Sequence, residues 1–324
     1  MYSGAYIRLL YNFYFSIQIV LPLFLLIFLG YILRKKHITT DSFIQTGNNI
    51  VFKIALPASM FYNVYSQPDI RGLFDIGFVL FIIIGAVLSF LAAWLIAWVF
   101  IKDRTIMAAF IHGAFRGNFV ILGLPLLHSF IGIENSGMAA IVILFTIPMY
   151  NIFAIIVLSI YSDSEKKVNF LYILKQIITN PLTIGIAAGF VLALFQINMP
   201  MMFESTIRHI SRMTTPLALI CMGGGLEVGF FNKKMKYSVW AAIYKTAILP
   251  IIAVLAAYAL GFRSYELVVI LVTFAVPAAV ASFTMTVLMG GDSYVGATSV
   301  IFSTVFSLFT LTGFIYVFVT LGLV

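Results

Sequence analysis

Long apolar stretches separated by short polar breaks run along almost the whole chain. A stretch of about 20 apolar residues spans the hydrocarbon core of a bilayer as an α-helix. The pattern predicts ten membrane-spanning helices, at residues 17–33, 43–63, 75–101, 105–131, 136–161, 170–196, 205–227, 237–261, 264–289 and 295–320. We therefore expect an all-α polytopic membrane protein with little mass outside the bilayer.

The composition excludes the soluble classes of protein. Hydrophobic residues make up 62% of the 324 residues and charged residues only 9%, whereas a soluble domain has about 25% charged residues. So few charges cannot cover a surface that faces water, which excludes a soluble enzyme, a disordered protein and a nucleic-acid-binding module. The single cysteine, Cys221, excludes an intrachain disulfide, and no spacing of ligand residues indicates a metal site.

Basic residues are unevenly divided between the loops on the two sides of the membrane. The loops after the first, third, fifth and seventh spans contain ten, namely Arg34, Lys35, Lys36, Lys102, Arg104, Lys166, Lys167, Lys233, Lys234 and Lys236. The opposite side contains four, namely Arg8, Arg71, Arg208 and Arg263. The positive-inside rule then predicts a multi-pass protein of the cytoplasmic membrane with both termini outside. The net charge of +8 is thus interpreted as a topology signal rather than a nucleic-acid-binding surface.

The two halves of the chain, residues 1–161 and 162–324, contain five predicted spans each. An odd number of spans per half inverts one half relative to the other. At an offset of 159 residues the matched pairs are Pro22 with Pro181, Gly30 with Gly189, Lys53 with Arg212 and Pro57 with Pro216. At an offset of 158 they are Gly132 with Gly290 and Glu134 with Asp292. The matches predict a five-plus-five inverted repeat, with chance coincidence as the alternative.

The fourth and ninth spans contain residues that break helices. The fourth span reads HGAFRGNFVILGLPLL and includes Gly117, Asn118, Gly123 and Pro125, and the ninth includes Pro277. Proline removes a backbone donor and frees a carbonyl group. Interrupted helices at matching positions of two inverted halves are typical of the substrate site of a transporter. The alternative in each case is an ordinary kinked helix.

Arg116 is the most informative ionisable residue within a predicted span. It lies about 18 Å into the fourth span from Arg104, at 1.5 Å per residue, and His112 lies one turn earlier. A charge at that depth needs a partner, a water-filled cavity or a function. We expect Arg116 to bind an anionic group, with His112 sharing that group or transferring a proton. The alternative is an Arg116 bonded to carbonyl groups of the broken helix beside a packed core histidine.

Three further bases, Lys53, Arg212 and Lys245, are candidate cavity residues, although each could instead extend to the membrane interface. All of these deep charges are basic, and no carboxylate lies clearly at mid-depth. A cavity with this bias favours an anion and disfavours a carboxylate proton relay. Carbonyl groups at the breaks could still bind Na⁺, so the coupling ion, H⁺ or Na⁺, stays open. No other cofactor is expected.

Several motifs in order along the chain resemble those of the auxin efflux carrier family of transporters, including its bacterial members. They are Asn118 to Pro125, Asn180–Pro181, Lys245 with Pro250, Pro277–Ala278, Gly290–Gly291–Asp292, and Ser303–Thr304–Val305–Phe306–Ser307. The resemblance implies ten helices, with the fourth and ninth crossing at unwound middles, an elevator-like movement and an organic-anion substrate. Taken with the interrupted helices, it makes Asn118, Gly123, Pro125, Pro277 and Ala278 the candidate substrate-binding residues. Thr312–Gly313 departs from the family pattern, in which a proline is expected, and Arg116–Gly117 just before Asn118 is not counted among the constant residues of the family.

The predicted function is a secondary active transporter of small organic anions, above all carboxylates, and not an enzyme. An intramembrane enzyme would need paired aspartates, a Ser–His pair or a metal cluster in the spans, and the sequence shows none of these patterns. A channel or a ligand sensor on a carrier fold is the remaining alternative, which counterflow of labelled substrate would distinguish. Membrane lipid surrounds the protein, and the choice between monomer and homodimer stays open.

Overall fold

The described part of the chain consists of helices and short connections, as expected for a multi-pass membrane protein. The computed structural model describes residues 14, 21–22, 25–66, 75–123, 126–127, 137–161, 170–225 and 233–323. Up to residue 161 the helices are α1 at 25–35, α2 Asp41–Ile50, α3 Leu56–Tyr65, α4 Ile76–Phe100, α5 Arg104–Phe115 and α6 Gly137–Tyr161. The helices that follow are α7 Phe170–Thr179, α8 Pro181–Leu194, α9 Met201–Gly224, α10 Met235–Ile243, α11 Leu249–Ala259, α12 Ser264–Ala275, α13 Val280–Leu288 and α14 Ser293–Thr320.

Among the described residues, four helical stretches are long and apolar enough to cross a membrane. They are Ile76–Phe100, Val142–Tyr161, Met235–Ala259 and Ser293–Phe318. These stretches match the predicted spans 75–101, 136–161, 237–261 and 295–320. Two shorter apolar helices, Pro181–Leu194 and Ser264–Ala275, fall within other predicted spans. Their shortness has a local cause, because each is bounded by a proline that interrupts the helical hydrogen bonds.

Two prolines produce π-helical turns rather than breaks. The turns Val51–Ala55 and Tyr244–Ile248 join α2 to α3 and α10 to α11. Pro57 and Pro250 lie in the turn that follows, and each proline lacks the N–H of a regular helix. The N–H of Leu56 reaches Val51 O, and that of Leu249 reaches Tyr244 O, five residues earlier in each case. Each π-helical turn places one lysine near its centre, Lys53 or Lys245.

The helices divide into two packed groups. In the first, which we call the glycine-packed group, α3 contacts α8 and α9, and α2 contacts α9. Helix α1 joins this group because a Cβ at Gly30 would lie 2.1 Å from Ile220 O. In the second, the paired-break group, α5 contacts α4, α6 and α14, while α10 contacts α14 and α11 contacts α12. The groups meet where α13 contacts α9 and where α6 contacts α3 and α8.

Side chains in the loops set where several helices begin. Asp103 accepts hydrogen bonds from the N–H groups of Thr105 and Ile106 at the start of α5, and the Thr105 hydroxyl adds a third. The hydrogen bond from the Thr105 hydroxyl is the main cause that lowers the pKa of Asp103 below its ordinary value. Asp292 caps α14 by accepting from the Val295 N–H at 2.8 Å and forms an ion pair with Lys234 at 2.6 Å. Its hydrogen bond raises the pKa of Lys234.

We expect Asp292→Ala to destabilise the protein by about 1–2 kcal/mol through the lost helix cap, plus up to about 1 kcal/mol for the ion pair. Asp292→Asn retains an acceptor for the Val295 N–H and removes only the ion pair, so its loss should not exceed about 1 kcal/mol. Lys233→Ala, at the neighbouring exposed lysine, is the control. Denaturant unfolding in detergent measures all three, and equal losses for the two Asp292 variants would contradict the capping role.

Candidate functional site

Two short non-helical segments pair with each other near the centre of the paired-break group. They are residues 116–118, after α5, and residues 276–279, between α12 and α13. Gly117 and Ala278 form an antiparallel bridge. The Asn118 N–H donates to Pro277 O at 2.8 Å, and the Ala279 N–H donates to Arg116 O at 3.0 Å. Each segment thus satisfies backbone groups of the other, which is the condition for unwound backbone at membrane depth.

Small and polar side chains allow this close approach. A Cβ at Gly117 would lie 2.9 Å from Val276 Cγ2 and 3.1 Å from Lys245 Nζ, so the position has no room for a side chain. On the other side of the bridge, the Ala278 N–H donates to Ser303 Oγ of α14 at 3.0 Å. The backbone of the second segment is therefore bonded on both sides.

A cavity of about 220 Å³ opens beside the paired segments. Residues of both helix groups line it. Those of the glycine-packed group come from the π-helical turn Val51–Ala55, α3 and α9, and those of the paired-break group come from α6, α13 and the segment 116–118. Its polar lining residues are Ser59, Asn63, Arg116, Asn118, Thr146, Tyr150, Ser211, Arg212, Thr214 and Thr215. The cavity therefore combines two guanidinium groups with neutral hydrogen-bonding groups.

Arg116 is buried beside the cavity, and no carboxylate of the described residues pairs with it. Its side chain is 4% exposed, and Nη1 lies 2.9 Å from Met285 Sδ and 3.5 Å from His112 Nε2. Neither of the two ion pairs found in the described ranges involves this residue. A thioether and an imidazole are poor partners for a guanidinium, which has five N–H donors. These side-chain contacts do not include the alternative given above, in which Arg116 donates to carbonyl groups of the broken helix.

Two hydroxyl groups at the cavity also lack hydrogen-bond partners among the described residues. The Tyr150 hydroxyl and Thr214 Oγ1 are buried and have no hydrogen bond within the part of the chain that the structure describes. Both residues line the cavity. An unpaired buried polar group costs about 1–3 kcal/mol, so such groups beside a cavity suit a polar ligand.

Two helical N-termini face the same cavity. Val280 and Ala281 begin α13, and Phe119 and Val120 begin the π-helical turn Phe119–Gly123, and all four residues line the cavity. The first N–H groups of a helix have no intrahelical acceptor. Together with the helix dipole they give the N-terminus of α13 a partial positive charge that favours an anion.

The residues predicted for the site occupy different positions relative to the cavity. Arg116, Asn118 and Arg212 line it. Pro277 and Ala278 lie beside the cavity, where their backbone groups pair with those of Asn118 and Gly117. His112 is fully buried, with Nδ1 at 3.2 Å from Thr286 Oγ1, and it contacts Arg116 rather than the cavity.

Of the other candidates, Gly123 is buried against the Phe119 ring, and a Cβ there would lie 2.8 Å from that ring. Pro125 lies outside the described residues. Lys245 is fully buried behind Gly117. Lys53 is exposed and is not among the described residues that line the cavity, so its role as a cavity base stays a prediction.

Sequence reasoning missed Tyr150, Thr214 and the role of Ser303. Each is a neutral polar residue within an apolar span, and many such residues occur along this chain. A serine or threonine in a helix commonly bonds its own backbone, so its presence alone does not indicate a site. The run Ser303 to Ser307 is recognisable in the sequence as a family motif, but the motif does not indicate which hydroxyl group reaches the second break.

Comparisons with known proteins agree on a broad class. The family model described as "Membrane transport protein" matches residues 15–315, which include both paired segments and the cavity. A curated relative from Methanothermobacter thermautotrophicus, described as an uncharacterized transporter, is 23% identical over 307 residues. That alignment covers 91% of this chain and 96% of the relative.

Proposed function

We propose that this chain, which belongs to the auxin efflux carrier family of membrane transport proteins, is a secondary active transporter of small organic anions. The membership confirms the family resemblance and identifies a multi-pass membrane transporter. The class of substrate is our proposal, with carboxylates as the expected anions.

The proposal depends above all on Arg116. A buried cation without a counter-charge is costly, and a bound anion would remove that cost. The planar guanidinium matches a carboxylate, which can accept two parallel hydrogen bonds from it. The N-terminus of α13 and the exposed Arg212 add positive potential on other sides of the cavity.

The cavity volume supports a small substrate. The cavity of about 220 Å³ is smaller than the pockets of about 300–1,000 Å³ that hold drug-sized ligands. A carboxylate of a few carbon atoms suits a cavity of this size. The unpaired hydroxyl groups of Tyr150 and Thr214 could bond its second polar group.

We propose that the fold is a five-plus-five inverted repeat with halves at residues 1–161 and 162–324, in which the fourth and ninth helices cross. Equivalent packing contacts support it. A Cβ at Gly30 would lie 2.1 Å from Ile220 O, and one at Gly189 would lie 2.5 Å from Phe61 O. The offset of 159 residues that relates Gly30 to Gly189 also relates Phe61 to Ile220. A contact and its equivalent, with the two halves exchanged, are what an inverted repeat requires.

We further propose an elevator-type movement of the paired-break group against the glycine-packed group. The position of the cavity between the two groups supports this movement, because sliding of one group would transfer a ligand held by Arg116 and the paired segments. The glycine contacts would keep the first group rigid. The uneven loop charges support an orientation in the cytoplasmic membrane with both termini outside.

Ligand-dependent thermal stability followed by counterflow tests the function. The purified protein would be heated with acetate, lactate, malonate, succinate, glutamate or choline, and a ligand at 100 times its Kd should stabilise it by about 2.7 kcal/mol. We expect a carboxylate to stabilise and then to show saturable counterflow in proteoliposomes. Stabilisation by choline alone would contradict the anion assignment. Binding without counterflow would indicate the sensor alternative, and a large unsaturable conductance would indicate a channel.

A further inference from the structure

Lys245 is a basic residue that is not among the described residues lining the cavity. It lies in the π-helical turn Tyr244–Ile248 and is fully buried. Its Nζ donates to Phe274 O at 3.0 Å, and it lies beside Gly117 of the bridge. Neither ion pair of the described helices and loops includes Lys245. A buried amine with a carbonyl partner and no carboxylate needs a physical explanation.

The end of α12 provides that explanation. In a regular helix, the carbonyl groups of Thr273, Phe274 and Ala275 would accept from the N–H groups of residues 277, 278 and 279. Pro277 has no N–H. The Ala278 N–H donates instead to Ser303 Oγ, and the Ala279 N–H donates to Arg116 O. Pairing of the two breaks therefore leaves three carbonyl groups at the end of α12 without their helical donors.

Those carbonyl groups form the negative end of the helix dipole and attract a cation. In transporters with interrupted helices, the carbonyl groups of such half-helix ends coordinate the coupling Na⁺ or H⁺. Here the nitrogen of Lys245 lies at hydrogen-bonding distance from the middle one of the three, Phe274 O. The chain itself, through Lys245, thus provides the positive group at this helix end.

We propose that Lys245 is a resident cation, whose ammonium group binds the carbonyl end of α12 in the position of a coupling Na⁺, so that this protein binds no Na⁺ at the paired breaks. The binding of Lys245 to the breaks is independent of the substrate. Its consequence for transport, an anion carrier that needs no Na⁺, rests on the proposed function.

Lys53 provides a matched comparison within the same chain. It too lies in a π-helical turn shortly before a proline, but it is exposed. Local sequence therefore produces the same π-helical turn twice. Lys245 differs from Lys53 because α12 and the paired segments pack around it, and this packing makes it a structural cation. Lys53→Ala is accordingly the control variant.

The experiment measures the melting temperature of Lys245→Ala at constant ionic strength in Na⁺, propylammonium or tetramethylammonium chloride. Propylammonium replaces the three carbon atoms and the nitrogen that the substitution removes, whereas tetramethylammonium has the charge but no N–H donor. We expect the variant to melt lower than the wild type and to regain part of the loss, saturably, in propylammonium but not in tetramethylammonium. Na⁺ is expected to act like propylammonium in the variant only, and Lys53→Ala should respond to none of the salts.

Two results would overturn the proposal. The first is a saturable, Na⁺-specific rise in the melting temperature of the wild type, measured against K⁺; this test does not require the variant to fold. The second is a Lys245→Ala or Lys245→Met protein that melts like the wild type and ignores propylammonium. Because no substrate is added, failure of the carboxylate panel with success here would reject the proposed substrate and leave the resident cation standing.

Discussion

Arg116→Met is expected to abolish measurable carboxylate binding while the protein stays folded. Removing one partner of a buried, charge-assisted hydrogen-bonded pair costs about 2–5 kcal/mol, and each 1.4 kcal/mol is tenfold, so Kd should rise about 30-fold or more. The empty protein should be as stable as the wild type or more so, because the substitution removes a buried guanidinium whose contacts are a sulfur and an imidazole. Binding and stability are therefore expected to change in opposite directions.

Thermal unfolding with and without the stabilising carboxylate measures both quantities. Arg116→Lys keeps the charge but loses the planar fork, so its affinity should lie between those of the wild type and Arg116→Met. Lys53→Met removes an exposed base that does not line the cavity and serves as the control. If Arg116→Met bound and exchanged carboxylates like the wild type, Arg116 would have no role in recognition. A large loss of stability in the empty variant would instead show that Arg116 holds the paired segments together.

Gly30→Ala and Gly189→Ala are expected to destabilise the protein by similar amounts. Each new Cβ would collide with a backbone carbonyl of a neighbouring helix, of Ile220 or Phe61, which a side-chain rotation cannot relieve. Helices would have to separate, and such overpacking typically costs about 1–3 kcal/mol. The proposed inverted repeat makes the two positions equivalent, so a similar loss in both variants is the specific expectation.

Gly313→Ala is the matched control, because Gly313 lies within α14 and an added Cβ there would have no neighbouring atom within 4 Å. There the change should be neutral or stabilise by up to about 1 kcal/mol through helix propensity. Denaturant unfolding of the three variants in one detergent is the measurement. A clear loss at one of the two packed glycines and none at the other would contradict their equivalence.

Helix positions followed closely from the order of residues. The span predicted at 75–101 is α4 Ile76–Phe100, and that predicted at 264–289 is α12 and α13, interrupted near Pro277 as the proline indicated. These features are local, since the length of an apolar run and the missing N–H of a proline act within one or two turns. The same reasoning selected Arg116, because a lone charge at membrane depth is costly in any fold.

The sequence alone could not predict which individual side chains are buried. Lys53 and Lys245 share a π-helical turn and a nearby proline, yet one is exposed and the other fully buried. Burial depends on which helix covers each face, and distant parts of the chain provide that cover. Tyr150 and Ser303 were missed for the same reason, since a hydroxyl group becomes functional only through what packs opposite it.

The apolar runs, the breaking residues and the excess of deep basic charge are properties of the chain alone, and they indicated a membrane transporter with interrupted helices. Pairing of Gly117 with Ala278 joins segments far apart in sequence, and it redirects the Ala278 and Ala279 N–H groups away from their own helix. That exchange requires the whole fold, because each broken segment leaves backbone groups that only the other segment, Ser303 and Lys245 can satisfy.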